Sequence, residues 1–164
     1  MSAASDVYKR QTQDKYVDKG VTIVSVSDEN AETIEKFLDR KLDFEGDTTY
    51  RDLTRAYCLT TDPDQSVHKD YMEAAGERGI PTAFIVGKTG EIEWIGHPAA
   101  MEKPLEKLVD GKWDRTEHAL ERQFEKRRSQ LAELIRRGKG AKAIALFDTL
   151  MAEAPTEEAK ARLQ

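Results

Sequence analysis

Alternation of apolar and polar positions predicts the β-structure of this chain. The run Thr82 to Val86 predicts a strand, Gly87 to Gly90 a tight turn, and Glu91 to Gly96 the antiparallel partner. Earlier in the chain, the β-branched run Val21 to Val26 predicts a buried strand. A shorter run, Ala56 to Thr60, predicts one more strand.

Apolar residues at helical spacing predict helices over most of the remaining part of residues 1–114. The segment Lys41 to Leu53 is polar and contains glycine, which indicates a loop. Strands that alternate with helices predict an α/β domain over residues 1–114. The predicted helices are Asp6 to Lys19 with Gly20 as its C-cap, Ala31 to Arg40, Gln65 to Gly76, and Pro104 to Val109.

Residues 115–164 predict a separate helical appendage. Two helices joined by a glycine turn at Gly138 to Gly140 make an αα-hairpin, and Pro155 ends the second helix before a short final one. The pattern resembles one tetratricopeptide-like unit, and one unit is too few for a repeat array. The apolar stripe that needs a covering surface contains Leu120, Phe124, Leu131, Leu134, Ile135, Ile144, Phe147 and Leu150.

Composition indicates a globular chain with an uneven charge distribution. Of the 164 residues, 38% are apolar and 35% are charged, with a net charge of −5. Residues 115–164 carry 11 Lys and Arg against 8 Asp and Glu, which leaves 15 against 23 in residues 1–114. No apolar run is long enough to span a membrane, and the polar start after Met1 does not predict a signal peptide. We therefore expect a cytoplasmic protein with no membrane partner.

The sequence contains few residues that could perform catalysis or bind a metal. The single cysteine, Cys58, excludes an intrachain dithiol, and its place between Tyr57 and Leu59 predicts a buried, inert thiol rather than a reactive one. Three histidines stand apart from other metal-ligating residues, so we expect no metal and no cofactor. The basic residues near Arg127 alternate with glutamates, which favours a solvated helix face over nucleic-acid binding.

Several segments together resemble the TlpA-like, redoxin branch of the thioredoxin-like superfamily. They are Lys19 to Val24, Ser27 to Asn30, Gly79 to Val86, Gly90 and Trp94 to Pro98, within a similarity that covers roughly residues 6 to 114. A proline just before a strand sits at the strand's first position or in a cis turn. The resemblance implies a thioredoxin-like sheet with flanking helices and a substrate-binding loop at Ile80, Pro81 and Thr82.

The chain departs from this family at its catalytic motif. The family's Cys-x-x-Cys pair and the central strand before it would fall just beyond Met1, so we expect no catalytic residue here. Without that strand, the two remaining strand pairs must close up, leave a gap or borrow a strand from a partner. A truncated product, a misassigned start and a decayed paralogue all fit this pattern.

Two functional hypotheses follow from the resemblance. The first is a thioredoxin-like, redoxin-family protein related to thiol:disulfide oxidoreductases but inactive as given, whose full-length relatives can be periplasmic or exported. The alternative is a redox-dead scaffold that binds a protein or peptide at the Pro81 loop or at the helical hairpin. In either case, self-association into a homo-oligomer is one way to cover the apolar stripe.

Overall fold

The computed structural model has a mixed α/β architecture and describes residues 3–42 and 46–163, with side chains of the first helix described from Asp6 onward. Two compact units divide between Gly111 and Lys112. The strands are β1 (Val24–Ser27), β2 (Cys58–Thr61), β3 (Ala83–Val86) and β4 (Ile92–Gly96). The α-helices are α1 (Ala3–Tyr16), α2 (Ala31–Leu38), α3 (Tyr50–Thr54), α4 (Glu102–Val109), α5 (Arg115–Arg136), α6 (Gly140–Glu153) and α7 (Glu157–Ala161).

Polar side chains of α1 fix the start of the first sheet. The side-chain amide of Gln13 donates to the carbonyl of Val21 at 2.9 Å and accepts from the backbone N–H of Ile23 at 2.6 Å. The carbonyl of Ile23 in turn accepts from the N–H of Cys58, at the start of β2. The Gln13 side chain therefore hydrogen-bonds to the backbone immediately before β1, and the pairing of β1 with β2 begins at the next residue, Val24.

A second buried contact joins α1 to the segment before β2. The Asp6 carboxylate, fully buried, accepts hydrogen bonds from the Tyr57 hydroxyl and from the Lys9 ammonium, both at 2.9 Å. Lys9 also donates to the hydroxyl of Ser25 on β1 at 3.0 Å. Both bonds to Asp6 reach one oxygen, Oδ1, whereas Oδ2 is buried with no hydrogen-bond partner, so they offset only part of the cost of burying this carboxylate. Together with the bond to Ser25 they hold α1 against this sheet.

Capping residues define the two short helices that follow β1. Asn30 caps α2 by accepting from the N–H of Thr33, and Thr49 with Asp52 forms a capping box on α3. The prediction of a loop over Lys41 to Leu53 was wrong at its end, because α3 begins at Tyr50. The Tyr50 ring packs against the Phe37 ring at a tilt, with the centroids 4.2 Å apart. Residues 43–45 of the predicted loop lie outside the described residues.

The hairpin of β3 and β4 follows its sequence prediction. The strands pair antiparallel with a bulge between Ile85 and Val86, and Ile85 faces Trp94 as a buried pair. Gly96 is required beside that indole ring, because a Cβ at residue 96 would lie 2.5 Å from a Trp94 ring carbon. The proline-containing helix α4 then contributes Leu105 to the core.

The strands of the first unit form two separate sheets rather than one. Within the described residues, β1 pairs only with β2, in parallel, and β3 pairs only with β4. Parallel sheets are normally covered on both faces, yet Val24 and Val26 are 55% and 40% exposed. The prediction of a buried first strand was therefore wrong, since only the face bearing Ser25 contacts α1.

The second unit has its own apolar core. Helices α5, α6 and α7 bury Phe124, Leu131, Ala143, Leu150 and Ala159. Asp114 caps α5 and Thr156 caps α7, each through its side-chain oxygen. Part of the predicted apolar stripe stays outside this core, because Leu120, Ile135 and Ile144 are mostly exposed.

We expect the Gln13→Ala substitution to lower the free energy of unfolding by about 2 kcal/mol, because it removes two hydrogen bonds from the backbone before β1. Gln11→Ala makes the same chemical change at an exposed position of α1 and should alter stability by less than about 0.5 kcal/mol. Urea unfolding of the full chain measures both. Equal effects would show that the Gln13 amide is not a structural link.

Candidate functional site

The loop before β3 presents the candidate site residues to solvent. Ile80 is 80% exposed, the most exposed large apolar side chain among the described residues. The Ile80–Pro81 peptide bond is cis and Pro81 is exposed. Thr82 donates from its hydroxyl to the carbonyl of Gly79 at 2.6 Å, which closes the loop on itself.

Packing on both faces of the strand holds β3 in place behind this loop. Phe84 meets the Tyr71 ring edge-on, with the centroids 5.3 Å apart, and Tyr71 belongs to a π-helical segment, His68–Glu73, inside the predicted helix. Ile85 is buried opposite Trp94. The strand is therefore positioned by its own side chains while its loop remains accessible.

The second edge of β3 has no strand partner in the described part of the chain. Backbone N–H and C=O groups of an edge strand point alternately toward the partner and away from it. The outward groups of β3 can thus pair with an added extended segment, beside the exposed side chain of Ile80. The loop and strand themselves, residues 79–86, include no thiol, histidine or carboxylate.

The lone cysteine lies elsewhere, on the open face of the first sheet. Cys58 pairs in register with Val24 on β1, and both side chains are exposed. The prediction of a buried core cysteine was wrong, because alternation along β2 turns Leu59 toward the covered face and Cys58 away from it.

Shifted pKa values in the first unit have local structural causes. Burial, followed by the nearby Asp6 carboxylate, raises the pKa of Tyr57 far above its usual value. Hydrogen bonds from Thr49 lower the pKa of Asp52, and those from Ser66 lower that of Asp64, as expected for carboxylates at turns and helix starts. No cluster of three or more metal-ligating side chains occurs among the described residues.

The basic residues of the second unit are largely paired with carboxylates. Arg127 contacts Glu153, Arg128 contacts Glu125 at 2.8 Å, and Arg137 contacts Glu133. Nearby, His118 lies against Trp113 with the ring centroids 5.2 Å apart. Burial, and then the charge of Arg122, lowers the pKa of His118 below its ordinary value.

His118 also borders a cleft of about 240 Å³ at the α5–α7 contact. Charged side chains of both signs line this cleft together with Phe124 and Pro155. Arg162 holds Glu125 and Glu158 at 3.1 and 2.9 Å, so its charge is already neutralised inside the unit. Among the residues that line the cleft, Glu121 and Glu125 balance Arg122 and Arg162, so the formal charges of the lining cancel.

Sequence reasoning missed the buried polar contacts of α1. Asp6, Thr12 and Gln13 are nearly or fully buried, although polar residues are usually exposed. One signal was available, because the helix has few apolar residues with which to form a packing face. A helix of that kind must either remain solvated or bury polar side chains that hydrogen-bond to its neighbours.

We expect Cys58 to react with Ellman's reagent in the folded protein at a stoichiometry of one thiol per chain, because its side chain is exposed. The Cys58→Ser variant is the control and should release no chromophore while changing stability by less than about 0.5 kcal/mol. Reaction that requires denaturant would instead mean that the thiol is covered.

The lowered pKa of His118 predicts a pH-dependent stability. The unfolded chain protonates this imidazole near its ordinary pKa of about 6.5, and the folded chain does so only at lower pH. The contribution of His118 to the free energy of unfolding is therefore fully present above pH 6.5, and it is lost as the pH falls through the pKa that this imidazole has in the folded chain. NMR titration of the His118 ring, folded and in urea, should show the difference, and Arg122→Gln should reduce it slightly. A higher pKa in the folded chain would contradict this account.

No known protein family, curated protein or solved structure matches this chain. Across the described residues, no helix combines the length and the apolar character needed to cross a bilayer. The geometry of the β3 edge and of the second unit therefore supplies the observations from which a function can be inferred.

Proposed function

We propose that this chain is a non-catalytic, thioredoxin-like interaction module that binds an extended peptide segment along the open edge of β3. The observation that carries the proposal is the unpaired edge of β3 in the described chain, placed directly after the exposed side chain of Ile80. Main-chain hydrogen bonds would supply affinity, and contact with Ile80 would favour an apolar residue in the ligand.

The sequence supports a binding role over a redox role. Thiol:disulfide exchange within one chain needs an attacking thiolate and a resolving thiol, and this sequence supplies the single thiol of Cys58. That thiol lies on β2, in the other sheet from the Pro81 loop. The resemblance to redoxin-family proteins thus supports the scaffold and its loop rather than the family's chemistry. We also propose that α5 and α6 form an αα-hairpin appended to this thioredoxin-like module.

Selection from a random peptide library displayed on phage tests this function. The full chain should enrich extended sequences rich in β-branched and aromatic residues. Ile80→Glu should weaken binding of an enriched peptide at least about tenfold, because it places a charge beside the apolar contact. Val17→Glu, at another exposed aliphatic position of the same unit, is the matched control and should leave binding unchanged.

Strand addition also requires that the backbone amides on one edge of the peptide be free to donate hydrogen bonds to β3. Methylating the peptide's backbone amides on one edge should abolish binding, and methylating those on the other edge should not, because only one edge faces β3. Failure to enrich any peptide, or equal effects of Ile80→Glu and Val17→Glu, would overturn the proposal. Dithiol-dependent turnover in an insulin-reduction assay would overturn its non-catalytic part.

A further inference from the structure

An apolar groove lies at the turn between α5 and α6, in the second unit. It has a volume of about 380 Å³, and its residues are aliphatic, aromatic or glycine. Leu131 and Ala143 are buried beneath it, whereas Ile135 and Ile144 stand at its sides with 63% and 65% of their surfaces exposed. Gly138 also lines the groove, with no atom within 4 Å of the position that a Cβ would occupy.

Two isoleucines so exposed at one recess are unusual for a surface without a partner. Single exposed apolar side chains need no explanation, but adjacent ones around a concavity mark contact sites. The Ile135 and Ile144 side chains would leave water if an aliphatic side chain entered between them. The groove is therefore shaped for a projecting apolar group.

Positive charge surrounds this groove. Lys139 and Lys142 have no ion-pair partner among the described residues, and Arg136 and Arg137 share one carboxylate, that of Glu133. Glu133 is also the only acidic residue in segment 131–147. In addition, α6 begins at Gly140 and its N-cap residue, Lys139, makes no side-chain capping bond, so the positive end of the helix dipole adds to the field. A ligand of this groove should carry negative charge around its apolar anchor.

We propose that the groove between α5 and α6 binds an acidic amphipathic helix of a partner protein. Aliphatic side chains at i and i+3 or i+4 of such a helix would enter the recess between Ile135 and Ile144, and flanking glutamates would face Lys139 and Lys142. A second copy of the same face would bring like charges together. A concave recess also suits a projecting side chain better than the plane of a lipid surface.

Fluorescence anisotropy with a labelled synthetic helix tests this proposal on the full chain. The probe is a peptide of about five turns with a leucine stripe at i, i+3 and i+4 flanked by glutamates, and a scrambled peptide of equal composition is its control. The stripe peptide should bind, and the scrambled one should not. The Ile135→Glu/Ile144→Glu variant should weaken binding at least about tenfold, whereas Leu120→Glu, exposed on the same helix α5, should not.

Charge reversal gives an independent readout. Lys139→Glu/Lys142→Glu should weaken binding about tenfold at low salt and reduce its salt dependence, because two contacts to glutamates are lost. Lys103→Glu/Lys107→Glu on α4 is the matched control. The proposal fails if both peptides bind equally, or if the groove variants bind like wild type. It also fails if the chain ignores the peptide yet sediments with phosphatidylserine vesicles, or dimerises through Ile135 and Ile144.

Discussion

Buried hydrogen bonds from α1 connect a first unit whose strands do not form a continuous sheet. Gln13 pairs with the backbone before β1, and Asp6 accepts from Tyr57 just before β2. An ion pair of Lys15 with Glu102, at 2.6 Å, joins α1 to the start of α4, but both side chains are half exposed and contribute little. The side chains of Gln13 and Asp6 both hydrogen-bond at the first sheet, and among the described residues no strand pairs with both β1–β2 and β3–β4.

The two separate sheets leave strand edges without a strand partner among the described residues. Side chains satisfy individual backbone groups, whereas a strand would satisfy a whole edge. In the described part of the chain, the second edge of β3 has no strand partner and lies near the exposed side chain of Ile80, and the uncovered face of the first sheet leaves Val24 and Cys58 exposed. The proposed peptide-binding function rests on that edge of β3 and on the exposed side chain of Ile80.

The second unit is organised by a different principle. Its core is apolar and complete around Leu150, and its arginines are paired with glutamates along the helices. At the turn between α5 and α6, Ile135 and Ile144 border a recess, and Lys139 and Lys142 lie beside it in the chain. Apolar exposure and uncompensated positive charge coincide there, and together they specify a partner more narrowly than either would alone.

The sequence by itself determined the local elements. Turn glycines and alternation predict the hairpin of β3 and β4, and Asn30, Gly20 and Thr156 mark helix ends, because caps and turns depend on neighbouring residues. The proline before β3 predicts a first strand position or a cis turn, and the Ile80–Pro81 bond is cis. Only the tertiary structure decided which faces are covered: it exposes Cys58 and Ile144, buries Asp6 and Gln13, and leaves β1 and β3 in separate sheets. Burial depends on which elements meet, and no local pattern contains that information.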